Sequence, residues 1–240
     1  MHISTFLEWV LLHSLALSTH AAFVSEFRSE QNAFKLPTAR PLDSEVKVPV
    51  TLGVMSRCPD AIYCESVFDE VLKETNDKID LSLTFIGRIN ASEPDYGVTC
   101  MHGPWECAGN VQELCAVKYE STETWWNFVQ CQNAEGRYQV GLPEVAKRCA
   151  DVAGIDWNGI TGACAGRDHP ESAGEGIELL KKSVLKTTEL GVTKSCTILI
   201  NNKAVCVHDE TWKDCEGGHA PEDFIRQIND EYEKLNARSL

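Results

Sequence analysis

Two groups of cysteines stand at spacings that suit thiol chemistry. The denser runs from Cys100 to Cys115, where Cys100, Cys107 and Cys115 are accompanied by His102, Gly103, Glu106 and Asn110. Pro104 suits the first turn of a helix, because its φ is preset and no N–H is needed there, and Gly103 permits a sharp entry. On that helix Cys107, Val111, Leu114 and Cys115 share one face, with Glu106 and Asn110 beside them. Both helical cysteines therefore point inward, and their structural role is to bridge and shape a helical segment. The second group is Cys58-Pro59-Asp60-Ala61-Ile62-Tyr63-Cys64, which follows a β-rich run. A thiol where a strand feeds a helix N-terminus sees the positive end of the helix dipole, which favours thiolate. Thiolate is the species that attacks a disulfide sulfur.

The Cys100–Cys115 segment resembles the signature of the gamma-interferon-inducible lysosomal thiol reductase (GILT) family, Cys-Gln-His-Gly-x2-Glu-Cys-x2-Asn-x4-Cys, with Met101 where the family has Gln. The resemblance implies a disulfide reductase working at acidic pH. It also implies that Cys58, placed as the first thiol of the family's Cys-x-x-Cys motif, attacks a substrate disulfide and that Cys64 resolves the mixed disulfide. Five residues separate these two cysteines instead of two. If Cys58 caps a regular helix, Cys64 lies about 9 Å up the axis and about 240° around it, beyond the roughly 7 Å limit for bridging. Cys58 is then a lone nucleophile dependent on external thiol. If instead Asp60 caps the helix, Cys58 lies exposed in the preceding turn and Cys64 in the first helical turns. The apolar spacing of Phe68 and Leu72 after Cys64 favours this second register. Purely structural disulfides are the remaining alternative.

Thioredoxin-like folds usually carry a cis-proline just before the third strand, facing the active thiols. Ser195-Cys196-Thr197 stands there instead, and a trans bond is expected without proline. Cys196 is either a third thiol beside the site, able to bridge Cys58 or Cys64, or a buried structural cysteine. Cys206 and Cys215 flank a loop holding Trp212, and their spacing suits a loop-closing disulfide. His102, His169, His208 and His219 lie among cysteines, yet no compact Cys-x2-Cys or His-x3-His pair is present. No metal or cofactor is expected. Trp125-Trp126 reads as core.

These groups need elements to position them. Val46 to Val54 reads as a strand, the segment after Cys58 as a helix, and Ile79 to Ile89 as a second, parallel strand. From Ala91 to Val192 apolar residues recur at helical spacing, for example Val145, Cys149 and Val152, with glycine-rich turns between. Cys196 to Asn201 and Lys203 to His208 read as a hairpin through Asn201-Asn202, followed by an amphipathic helix over Pro221 to Leu235. This is the order of an α/β, thioredoxin-like fold over residues 46–240, with a large disulfide-containing helical insert at about 91–192.

Upstream, Phe6 to Leu17 is apolar and Ala21-Ala22 offers a cleavage site, so residues 1–21 read as a signal peptide and 22–45 as a linker or processed segment. A chain of 240 residues needs no staples for stability, so 11 cysteines indicate an oxidising compartment. An odd count leaves at least one thiol without an internal partner. Asn90-Ala91-Ser92 is a glycosylation sequon, consistent with a secreted or lysosomal/vacuolar protein. The net charge of −14 excludes nucleic acid as a partner, and no membrane span is expected once the signal is removed. Disulfide-containing protein substrates and a small thiol reductant are the expected partners. The competing reading is a catalytically inactive secreted binding or structural protein on the same scaffold.

Overall fold

A computed structural model describes residues 45–237; the expected signal peptide and nearly all of the expected linker lie outside them. Strand β1 (Val48–Val54) buries Val48, Val50, Leu52 and Val54, with Pro49 and Thr51 half covered between the first three. It runs parallel to β2 (Ile79–Phe85), in register from Val48 opposite Ile79 to Val54 opposite Phe85. Between them lies α1 (Pro59–Thr75). The sheet is completed by β5 (Thr197–Ile200), β6 (Lys203–Asp209) and β7 (Thr211–Lys213), in the order β2-β1-β5-β6-β7. Strand β5 is antiparallel to β1.

The helix α7 (Pro221–Ala237) packs beside α1, with the rings of Phe68 and Phe224 5.3 Å apart. The opposite face of the sheet is covered by α6 (Gly174–Glu189), where Thr84 Oγ1 lies 2.7 Å from Thr187 Oγ1. Asn201 and Asn202 both adopt positive φ, 50° and 62°, as a two-residue hairpin with matching twist requires.

The second strand stops at Phe85 rather than continuing to Ile89. Gly87 marks the break: a Cβ there would stand 3.1 Å from both Val184 and Val98, so the chain turns tightly under α6. Arg88–Ile89 then pairs with Val98–Thr99 as a separate two-stranded ribbon, β3 and β4. The insert continues through α2 (Pro104–Tyr119), α3 (Thr122–Glu135), α4 (Pro143–Ala153) and the short α5 (Ile160–Cys164) before α6. Of the apolar residues expected to face inward from α4, Val145 and Cys149 do so, whereas Val152 is 76% exposed.

Three disulfides fasten the insert: Cys100–Cys107, Cys115–Cys164 and Cys131–Cys149. They close loops of very different length, with sequence separations of 7, 49 and 18. Because the entropy removed from the unfolded chain grows with loop length, Cys115→Ser is expected to cost about 2 kcal/mol more stability than Cys107→Ser. Urea denaturation of the two variants measures this directly. Equal losses would show that local packing, rather than chain closure, sets the contribution of these bridges.

Candidate active site

The loop between β1 and α1 is held residue by residue. Met55 N–H donates to Ser195 Oγ at 3.0 Å, and Ser56 N–H donates to Asn110 Oδ1 at 3.1 Å. Ser56 Oγ donates to the Glu106 carbonyl, also at 3.1 Å. Arg57, itself buried, sends its guanidinium to the carbonyls of Val140 and Tyr138. Gly109 lets α2 approach this closely, since a Cβ there would meet Ser56 Oγ at 2.6 Å.

The Cys100–Cys115 segment is thus the brace of this loop. Asn110 and Glu106 are wholly buried. Glu106 accepts the His102 backbone N–H at 3.1 Å and contacts the His102 ring through its other oxygen. Cys107 and Cys115 are buried, Cys107 bridging back to Cys100. Gly103 has φ 86°, which admits the sharp entry into α2.

At the end of the braced loop sits Cys58. It is the N-cap of α1, with Pro59 in the first helical position, so the helix begins at Pro59 and not after an Asp60 cap. Proline explains the register: it is preset for the first turn, and its missing N–H would be unpaired there in any case. Asp60 falls in the first turn, beside the thiol instead of ahead of it. With the helix starting there, Cys64 lies too far along and around the axis to reach Cys58. Cys64 bridges Cys196 instead, Cα to Cα 6.2 Å. The expected Cys58–Cys64 pair is therefore not formed, and Cys58 is 5% exposed rather than open to solvent.

Among the described residues Cys58 alone of the cysteines has no bridge. Its Sγ lies 3.8 Å from the Ser195 carbonyl oxygen and 3.8 Å from Asp60 Oδ2. The Ser195–Cys196 bond is cis, contrary to the expectation of trans. Unlike a proline, Cys196 keeps its N–H, which donates to the His208 carbonyl at 2.9 Å, and the His208 N–H returns the bond to the Cys196 carbonyl. Both backbone groups of Cys196 are thus engaged with His208.

The contacts made around Asp60 escaped the sequence reading. His208 Nδ1 lies 2.7 Å from Asp60 Oδ1, an oxygen that also accepts the Glu210 N–H. The His208 ring packs 4.7 Å from both Tyr63 and Trp212. Tyr63 is half exposed. His208 is far along the chain from Asp60, and nothing local to β6 announces that contact. The Cys206–Cys215 bridge pins this corner, joining β6 to the segment after β7.

The sequon residue Asn90 is half buried; its Nδ2 donates to Thr99 Oγ1 at 3.0 Å. Among the described residues, no group of three or more His, Cys, Asp or Glu is arranged to hold a metal. No helix in the described region is long and apolar enough to cross a membrane. Trp125 and Trp126 are both buried.

A central sheet ordered in this way, with a cysteine capping the helix after its first strand and a cis peptide opposite, defines a thioredoxin-like fold. Solved structures agree. MdbA from Corynebacterium diphtheriae, a thiol-disulfide oxidoreductase, superposes with a TM-score of 0.52 at 14% identity, covering 77% of this chain and 84% of that one. BdbD from Bacillus subtilis gives 0.54 at 13% identity, covering 78% and 88%. Residues 49–153 match the family model of gamma interferon inducible lysosomal thiol reductase (GILT). A Drosophila melanogaster protein named GILT-like protein 1 is 28% identical over 179 residues, which is 67% of this chain and 68% of that protein. Both matches support a place for this chain in the GILT family.

Proposed function

We propose that this chain is a GILT-type thiol reductase of protein disulfides and that Cys58 is its nucleophile. The observation that carries the reading is the placement of Cys58: unbridged, at the N-terminus of a long helix, at the end of a loop that the family motif braces. A helix N-terminus is where disulfide-exchanging thiols are placed, because the positive end of the dipole faces them. The thiolate attacks one substrate sulfur, the other leaves as thiol, and the mixed disulfide is then resolved by a second thiol. The half-exposed Tyr63 and the neighbouring Trp212 offer an aromatic rim on which an unfolded substrate segment can rest.

Five disulfides in one domain support a working place that is oxidising for structure, within the secretory or lysosomal route or outside the cell. A small thiol supplies the electrons. The test is reduction of a denatured, disulfide-bonded protein by the purified chain in the presence of a small thiol at acidic and at neutral pH. Turnover above the thiol-only background at either pH is expected. Background rates at both would leave an inactive binding or structural protein on the reductase scaffold.

A further inference from the structure

The family motif places the resolving thiol three residues after the nucleophile, a position filled here by Ala61. Ala61, Cys64 and Phe68 are all wholly buried, and lie along one face of α1 at offsets of three and four. The second sulfur has thus moved one turn deeper. There it meets Cys196, on the strand side of the site, and the two are bridged. Both members of that bridge have 0% exposure. A thiol in solution has no direct route to either sulfur.

Cys58 abuts the strand end that carries Cys196. Its Sγ contacts the Ser195 carbonyl at 3.8 Å, which is the peptide group that joins Ser195 to Cys196. A nucleophilic thiol at the surface end of α1 and a buried disulfide behind it therefore share one junction.

We infer that the Cys64–Cys196 bridge is the oxidised form of the enzyme's two-electron store, filled and emptied only through Cys58. The inference rests on the proposed role of Cys58 and names the thiols that resolve its mixed disulfide. In the reduced enzyme all three are thiols. Cys58 attacks a substrate disulfide, forming a Cys58–substrate bond and releasing the first substrate thiol. The Cys196 thiolate then attacks Cys58 Sγ, releasing the second substrate thiol and forming Cys58–Cys196. Finally the Cys64 thiolate attacks Cys196 Sγ and expels Cys58. The substrate has gained two electrons and two protons, and the enzyme is left with Cys58 free and Cys64 bridged to Cys196, which is the arrangement seen here. Two equivalents of a small thiol run the same exchanges backwards and leave as their own disulfide.

The test uses the full chain and mass-spectrometric disulfide mapping. In native wild-type protein, dithiothreitol is expected to open Cys64–Cys196 before the insert bridges; in Cys58→Ser, which leaves that bridge intact, opening should slow by at least about tenfold. In Cys64→Ser treated with glutathione disulfide, the halted intermediate is expected as a Cys58–Cys196 peptide. Equal opening rates in wild type and Cys58→Ser would overturn the relay. So would Cys64→Ser protein that accumulates only glutathione on Cys58. Reduction of a denatured protein substrate by Cys196→Ser at the wild-type rate would also overturn the relay, while leaving Cys58 as a nucleophile resolved by external thiol. Wild-type protein without reductase activity would instead remove the proposed function itself.

Discussion

Cys58→Ser is expected to lower disulfide reduction by about a thousandfold or more, with the melting temperature held or slightly raised. The loss follows from the absence of a substitute. The other ten cysteines are bridged, and Cys64 and Cys196, the sulfurs nearest to taking over, are wholly buried. A hydroxyl in place of the thiol cannot form the mixed disulfide. The retained stability follows from the position. Cys58 is an N-cap that makes no side-chain capping bond, and serine is among the better residues there, accepting from an orphan backbone N–H. Loss of activity together with loss of fold would point to a packing role for the sulfur. A variant with wild-type activity would end the assignment of Cys58 as nucleophile. Rates against a denatured disulfide substrate and a thermal melt are enough to separate these outcomes.

The second large effect is on stability against pH, and it arises from carboxyls deep in the helical layer. Glu65, next to Cys64 on α1, is 1% exposed; its Oε2 accepts from Asn133 Nδ2 at 2.7 Å while Oε1 has no partner. Glu113 on α2 is equally buried, and neither of its oxygens has a partner. Burial pushes the Glu65 carboxyl up from 4.5 to about 7, against the opposing effect of the Asn133 hydrogen bond. Burial also pushes Glu113 well above the usual carboxylate range, aided by the nearby charges of Glu65 and Glu106.

Both groups hold a proton more tightly in the folded chain than in the unfolded one. The Glu65 contribution is therefore complete below about pH 4.5 and is lost as the pH rises through about 7, and that of Glu113 is lost in the same direction as the pH rises. For Glu65 alone the change is on the order of 3 kcal/mol, and Glu113 adds to it in the same direction. Chemical denaturation at pH 5 and pH 8 should find the protein markedly more stable in acid. The double variant Glu65→Gln, Glu113→Gln should be nearly flat across that interval, because a neutral amide needs no proton. A wild-type protein more stable at pH 8 than at pH 5 would refute the burial argument.

The elements that carry the site were legible because each is announced by its own residues. The alternation in β1, the paired asparagines of the β5–β6 hairpin and the helical face of Cys107, Val111 and Cys115 are local signals, and the structure places them close to where they were expected. The spacing of Cys206 and Cys215 is equally local. The start of α1 was misread because the Phe68 and Leu72 spacing is compatible with either register; Pro59 decides it, since the first turn is where its ring fits best. The partner of Cys64 was open because nothing near either cysteine says which strand end will face α1, and only the sheet order brings Cys196 there. The cis bond at Cys196 has no sequence mark of its own once proline is absent. Glu65 and Glu113 look like ordinary helix-surface acids until α1, α2 and α3 close over them.

The insert also dictates an order of biosynthesis. Strand β1 is flanked by β2, which follows it almost at once, and by β5, which is separated from it by the whole helical layer. As the chain is made, the three insert bridges become possible first, at separations of 7, 18 and 49, whereas Cys64 must wait 132 residues for Cys196. During that wait Cys58 and Cys64 are unpaired thiols on a half-built sheet, exposed to the cell's oxidants and to each newly made cysteine of the insert. The Cys64–Cys196 bridge is thus the pairing that waits longest for its partner, and the part of the domain most open to mispairing. Its correct assembly calls for an environment in which mispaired disulfides can be reshuffled during synthesis.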